Sequence, residues 1–150
     1  GPDALGPVFD QVGRLSLYDP TQRYLADAEV SLTHRLAQFP DALSLRYALV
    51  LAQVLQRDAA GAIASLEQVT AQDSQNPYAH GYLGFVHLYA LHPVAAERAL
   101  RQAVTLAPDS TELRSLHAVS LLLRGNLWGA WREGRRVLHS QHGQTLAGAS

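Results

Sequence analysis

The chain has 150 residues, and its 12 basic and 13 acidic side chains leave a formal net charge of −1 at pH 7. This length suffices for one domain with its own hydrophobic core, and the absence of Cys excludes disulfides, thiolate metal sites and Cys nucleophiles. A general nucleic-acid binder or a polybasic membrane-surface protein needs a large positive excess, so we expect neither. No apolar run approaches the ~18 residues of a membrane span, and we expect no direct membrane insertion.

The two ends of the chain are predicted to lie outside the folded domain. Gly1-Pro2, with no Met anywhere in the chain, is typical of a remnant of tag cleavage. Residues 140–150 lose apolar periodicity and are predicted to form a frayed tail or linker, which leaves 8–139 as the helical domain. The scarcity of Lys, Met, Ile and Asn indicates a GC-rich, bacterial genome, and cytoplasm and periplasm fit the sequence equally well.

Helix-breaking residues divide the chain into segments rich in Ala, Leu, Gln and Arg, which favour helices. Asn76-Pro77 is typical of an N-cap followed by Pro in the first turn, and Gly125-Asn126 of a helix stop followed by a new cap. Asp109 and Glu112 have the spacing of a capping box. The predicted helices are Val8–Leu17, Thr21–Gln38, Ala42–Gln56, Ala59–Gln72, Tyr78–Leu91, Val94–Leu106, Thr111–Arg124 and Leu127–His139.

A regular repeat runs through these segments. Ala recurs at equal spacing, at Ala28, Ala62, Ala96 and Ala130. Four positions later a bulky apolar residue recurs at Leu32, Leu66 and Leu100, whereas the fourth unit has Gly134. The small residues lie where two helix backbones must approach closely, and the helix stops follow the same period, which argues against a chance pattern.

The unit Pro77–Ser110 carries the pattern most fully, with His80, Leu83, Gly84, His87, Ala96, Leu100 and Pro108. In this pattern and its period the chain resembles the tetratricopeptide repeat family, in four units over about 130 residues. It departs from the family in having no signature Trp, since Arg46, His80 and Arg114 occupy that position. The resemblance implies an all-α fold, a right-handed α-solenoid of antiparallel helix pairs with about eight helices in 3.5–4 repeats. It also implies a protein-interaction scaffold or adaptor.

The resemblance further implies a concave groove lined by the first helix of each pair. The groove residues predicted to bind a partner are Tyr47, Leu51, Tyr78, Tyr82, Phe85, Tyr89, Ser115 and Val119. Tyr78, Tyr82, Phe85 and Tyr89 recur at helical spacing and form one stripe, which suits an apolar peptide or amphipathic helix from another protein. The alternative is that the stripe packs between neighbouring units.

The last helix pair suggests a second function, self-assembly into a homodimer, because Leu121, Leu122, Leu123 and Leu127 have no following helix to cover them. A non-catalytic regulatory region of a larger protein is a third possibility. Arg132, Arg135 and Arg136 are expected to form a solvated face, with docking of an acidic partner as the alternative. Trp128 and Trp131 beside them are expected to anchor the last helix onto the preceding pair.

The sequence contains no pattern that indicates catalysis or a cofactor. There is no Gly-rich phosphate loop, nucleophile elbow, HExxH or paired-carboxylate motif, so we expect no enzyme activity. His80 and His87 share a helix face, but one helix supplies no third metal ligand. We therefore expect the seven His residues to be buried or half-buried and hydrogen-bonded to the backbone rather than to bind metal.

Overall fold

The computed structural model describes residues 19–148, with side chains for residues 21–139 and 141. This part of the chain contains seven α-helices and no strand, which confirms the predicted all-α fold class. The predicted helix Val8–Leu17 lies outside the described residues. The helices are α1 (Asp19–Gln38), α2 (Leu43–Leu55), α3 (Ala59–Gln72), α4 (Pro77–Tyr89), α5 (Pro93–Leu106), α6 (Thr111–Leu123) and α7 (Leu127–Gly148).

The turns that join α2 to α3, α4 to α5 and α6 to α7 have the same backbone, which recurs once in each sequence repeat. The residue with positive φ in each turn is Arg57, Leu91 or Gly125, at 59°, 59° and 80°. The N–H of the next residue, Asp58, His92 or Asn126, donates to the carbonyl five residues earlier at 2.8 to 2.9 Å. This bond is that of a Schellman motif, which satisfies a carbonyl at the helix end and reverses the chain. The sequence period is therefore also a structural period.

The turns that precede α2, α4 and α6 are closed by a second repeated contact. The side chain at the family's signature Trp position donates to the carbonyl six residues earlier. Arg46 Nη2 donates to Pro40 O at 2.8 Å, His80 Nε2 donates to Ser74 O at 2.9 Å, and Arg114 Nε donates to Pro108 O. Three side chains of two types thus make the same contact in place of a Trp.

The chain divides into two compact units, Gly1–Ser65 and Leu66–Ser150. In the first unit α1 packs against α2, with Leu25, Leu36 and Val50 buried. Glu29 of α1 accepts hydrogen bonds from Gln53 of α2 (3.2 Å) and from Gln56, the residue that follows α2 (2.9 Å). Ser65 of α3 donates to Gln53 Oε1 at 2.7 Å, so the buried Gln53 joins all three helices.

In the second unit α4 packs against α5, α5 against α6 and α6 against α7, while α4 also contacts α6. Two glycines of α4 allow these close approaches. A Cβ at Gly84 would lie 2.8 Å from Leu100 Cδ2 of α5, and a Cβ at Gly81 would overlap Leu113 Cδ2 of α6. The core of this unit is correspondingly tight, with Leu66, Val69, Ala79, Ala96, Leu100 and Ala103 fully buried.

Two predictions about helix ends differ from the structure. The N-cap of α6 is Ser110 rather than Asp109, because Ser110 directly precedes the first helical residue and its Oγ accepts from Leu113 N at 3.3 Å. Helix α7 continues to Gly148 instead of ending at His139. The assignment of 140–150 as a tail or linker stays a prediction. The N-cap predicted at Asn76 is confirmed, since its Oδ1 accepts from Tyr78 N at 3.0 Å.

Among the described residues, no helix combines the length and the hydropathy that crossing a bilayer requires.

Candidate functional site

Helix α4 presents four aromatic side chains to solvent on one face. Tyr78, Tyr82, Phe85 and Tyr89 are 56, 53, 52 and 60% exposed. The opposite face of the helix is buried through Ala79, Gly81, Gly84, Val86 and His87, which fixes the orientation of the aromatic side chains. We call Tyr78, Tyr82, Phe85 and Tyr89 the aromatic face. Because the rings are more than half exposed, the alternative in which they are packed away between repeats does not agree with the structure.

Helix α6 lies beside α4 and extends this surface within the second unit. The two helices contact each other, and they approach closely where Gly81 faces Leu113. On α6 the side chains of Ser115 and Val119 are exposed, Val119 by 44%. The predicted residues of the second unit therefore occupy the exposed faces of two helices in contact.

The two remaining predicted groove residues belong to α2 in the first unit. Leu51 is 51% exposed, whereas Tyr47 is only half-buried. Seven of the eight predicted partner-binding residues are thus exposed, with Tyr47 as the exception. Their role in binding stays a prediction.

The expectation that Trp128 and Trp131 anchor the last helix is wrong. Both side chains are exposed, by 67 and 51%. Their ring centroids lie 5.0 Å apart with the planes tilted by 30°, and Arg135 Cζ lies 4.9 Å from the centroid of Trp131. The rings therefore pack on each other, and Trp131 also packs on a cation, while Ala130 and Glu133 supply the buried side of α7.

Two buried side chains, Glu97 and His117, form the centre of a charged cluster between α5, α6 and the turn before α7, where no sequence pattern had indicated one. Arg101 and Arg124 reach this cluster from partly exposed positions. Glu97, 3% exposed, accepts hydrogen bonds from Arg101 (2.6 Å), His117 Nε2 (3.2 Å) and Arg124 (3.1 Å). Burial by itself raises the pKa of Glu97, but the hydrogen bonds from Arg101 and His117 and their charges outweigh burial and hold the pKa below its ordinary value. Glu97 is therefore a buried carboxylate that requires its partners.

The other nitrogen of His117 faces a second buried carboxylate. His117 Nδ1 lies 3.8 Å from Glu133 Oε1, and Arg114 Nη1 lies 3.7 Å from Glu133 Oε2. These two separations are too long for hydrogen bonds, whereas the contacts of Glu97 are short enough to be hydrogen bonds. Arg136 approaches Glu133 Oε1 at 3.4 Å from the solvent side.

The His residues make varied contacts, and the expectation of backbone hydrogen bonds is met only in part. His80 donates to a backbone carbonyl, but His117 bonds a carboxylate and His87 Nδ1 lies 3.4 Å from His92 Nδ1. Burial, and then the neighbouring His92, lower the pKa of His87, while Glu67 acts in the opposite direction. Within the described residues no group of three His, Asp or Glu side chains is arranged to hold a metal ion.

Comparison with known proteins agrees with the geometry of the repeats. Residues 53–119 match the family model described as tetratricopeptide repeat. Among solved structures, a crystal structure of MamA protein superposes with a TM-score of 0.73 at 17% identity, over 81% of this chain and 66% of that one. MamA 41-end from Desulfovibrio magneticus RS-1 gives 0.72 at 15% identity, over 90% of this chain and 76% of that one.

At these identities the likeness to the solved proteins is one of fold. The chain spans about two thirds of the length of the first of them. A search of curated protein sequences found no match.

Proposed function

We propose that this chain, whose residues 53–119 match the family model described as tetratricopeptide repeat, is a protein-interaction scaffold that binds an apolar or amphipathic segment of another protein. The observation that carries the proposal is the aromatic face of α4, whose four rings are 52 to 60% exposed. Such rings offer large contact areas with few rotatable bonds, and the Tyr hydroxyls remain hydrogen-bonded to water at the edge of an interface.

The support below this face is closely packed, which favours binding. Gly81 and Gly84 hold α4 close to α5 and α6, so its aromatic side chains start from a fixed backbone. A rigid support leaves most of the ordering cost of binding with the partner segment. The exposed Ser115 and Val119 of α6 extend the surface sideways, and the width of two helices suits an amphipathic helix.

Substitution of Tyr82 tests this proposal. We expect Tyr82→Ala to weaken binding of a peptide selected from a random displayed library on the unaltered protein by about tenfold or more, because a central ring is lost. Binding is measured by calorimetry, and circular dichroism checks that helicity is unchanged. Tyr24→Ala is the matched control, since Tyr24 is 61% exposed on α1 and is not one of the predicted groove residues. Selected peptides that bind Tyr82→Ala as tightly as the unaltered protein would contradict the assignment.

Self-assembly is the second candidate function, and one observation favours it. Leu122, Leu123 and Leu127, at the end of α6 and the start of α7, are 52, 52 and 69% exposed. Leu121, which was expected to need cover as well, is buried at 6% exposure. An exposed apolar cluster at the end of a repeat array favours association with a second copy. Light scattering over a concentration series is expected to show a rising mass if this function holds, whereas a constant monomer mass removes it.

A further inference from the structure

The fourth repeat lacks a side chain that the third repeat buries completely. In the third repeat, Leu100 of α5 is 0% exposed and fills the space against Gly84 of α4. The equivalent positions in the next repeat are Ala118 on α6 and Gly134 on α7. Both positions are occupied by small residues. The space between α6 and α7 that is equivalent to the one Leu100 fills between α4 and α5 is therefore not filled by either residue.

A cleft lies at this place. A Cβ built on Gly134 would meet no atom within 4 Å, in contrast to the overlap at Gly84. The cleft has a volume of about 420 Å³, and its walls are Ser115 and Ala118 of α6 together with Trp131, Gly134, Val137 and Leu138 of α7. The rim is apolar and open, since Trp131 and Leu138 are 51 and 67% exposed. A bulky apolar side chain from outside would find a walled site here.

The surface beside this cleft is positively charged. Arg132, Arg135 and Arg136 are exposed, and with Trp128, Trp131 and His139 they line an adjoining cleft of about 340 Å³. Trp131 and Arg135 line both clefts. The one acidic side chain in this stretch, Glu133, is buried at 7% exposure, faces Arg114 and His117, and accepts a hydrogen bond from Arg136 at 3.4 Å. Residues 127–139 therefore supply no exposed carboxylate to Arg132 and Arg135.

We infer that this part of α7, defined by Trp128, Trp131, Gly134, Arg135 and Leu138 and called the α7 face, binds an acidic segment of another protein. A bulky apolar side chain of that segment enters the cleft at Gly134, and its carboxylates pair with Arg132, Arg135 and Arg136. The charge of the surface selects an acidic partner, and the walled cleft selects a discrete side chain.

The α7 face can be monitored directly because Trp128 and Trp131 are the only two Trp residues in the chain. The probe is a synthetic amphipathic helical peptide without Trp, with Leu on one face and Glu on the other. We expect a saturable change in Trp fluorescence, weakened by added salt. A peptide of the same sequence with Lys in place of Glu is expected to give no saturable change.

The decisive variant is Gly134→Leu, which restores the side chain that the repeat pattern requires and fills the cleft. We expect it to weaken binding of the acidic peptide by at least about tenfold. We do not expect Gly134→Leu to unfold the protein, because Leu is a better helix former than Gly and a Cβ at this position meets no atom. Weaker binding by this variant would therefore not be caused by a loss of folding. Tyr24→Ala, an exposed change on α1 at a residue that belongs to neither defined surface, is the matched control and is expected to bind the acidic peptide normally.

Several results would overturn the proposal. One is a change in Trp fluorescence with the Lys peptide that equals the change with the acidic peptide. Another is binding of the acidic peptide by Gly134→Leu as tightly as by the unaltered protein. A third is a fluorescence change obtained with anionic phospholipid vesicles but not with the acidic peptide. A fluorescence change that depends on the protein's own concentration and is unaltered by the peptide would assign the α7 face to a second copy of the chain and would also overturn it.

Discussion

At the scale of single residues, the repeat keeps a contact even where it changes the side chain. Arg46, His80 and Arg114 differ from the family's signature Trp, yet each closes the preceding turn by donating to the carbonyl six residues earlier. A long donor side chain can replace a large ring at this position because what the turn lacks is a hydrogen-bond donor. The hydrogen bonds follow from the period, although their donors could not be predicted from the family pattern.

The residue with positive φ in each intra-pair turn allows a test of backbone strain. Leu91 has φ of 59°, which costs an L-residue with a side chain about 1 kcal/mol or more. It is 77% exposed, so its removal sacrifices little burial. We expect Leu91→Gly to raise the free energy of unfolding by about 0.5–1 kcal/mol, measured by urea denaturation.

Gly125 provides the matched reverse change, since it occupies the equivalent turn of the next repeat with φ of 80° and has no atom near its Cβ position. Gly125→Ala is expected to lower the free energy of unfolding by a similar amount. If both variants are as stable as the unaltered protein, the positive φ in these turns does not affect the free energy of unfolding.

At the scale of elements, the helices were predictable because their period and their stop signals coincide. Asn76-Pro77 and Gly125-Asn126 begin and end helices as predicted. The cap of α6 was assigned one residue too early, at Asp109, since Asp109 and Ser110 are both good caps and only the observed start at Thr111 distinguishes them.

The exposure of the candidate surfaces was less predictable than the helices that carry them. The stripe on α4 follows from helical spacing, but the same spacing would have suited a buried face, and only packing of the opposite side through Gly81 and Gly84 decides between the two. For Trp128 and Trp131 the prediction was wrong, because large aromatic residues are on average buried and no further repeat covers them in the described chain.

The buried charges were missed for a related reason. Glu97 lies in an Ala-rich helix where a charged residue ordinarily faces solvent. Its partners His117 and Arg124 are 20 and 27 residues away, and only the packing of α5 against α6 brings them to the carboxylate. The one local signal was Arg101, four residues after Glu97, a spacing that also occurs in ordinary surface pairs.

At the scale of the whole molecule, the charges balance to −1 but are distributed unevenly. In the second unit the buried carboxylates Glu97 and Glu133 face inward, while Arg132 and Arg135 remain exposed on α7. The same arrangement therefore gives this unit an ionic core and a basic surface. Its stability should depend on pH through the core, whereas its partner preference should depend on salt through the surface.

Glu97 makes the dependence of stability on pH testable. Because its folded-state pKa is lowered, the unfolded chain takes up this proton first, so stability is fully present above about pH 4.5 and is lost as the pH falls through the folded-state value. Glu97→Gln cannot ionise, and at pH 7 it removes the charged acceptor of Arg101, Arg124 and His117, at a cost of about 1–3 kcal/mol, because only His117 among these partners is buried. We therefore expect the difference in unfolding free energy between the unaltered protein and Glu97→Gln, measured by urea denaturation, to be large at pH 7 and to shrink toward pH 3.

The control is Asp109→Asn, an exposed change in the same unit. Its unfolding free energy should stay within about 0.5 kcal/mol of that of the unaltered protein at every pH. A Glu97→Gln difference that is independent of pH would mean that the ionised carboxylate does not hold this core together.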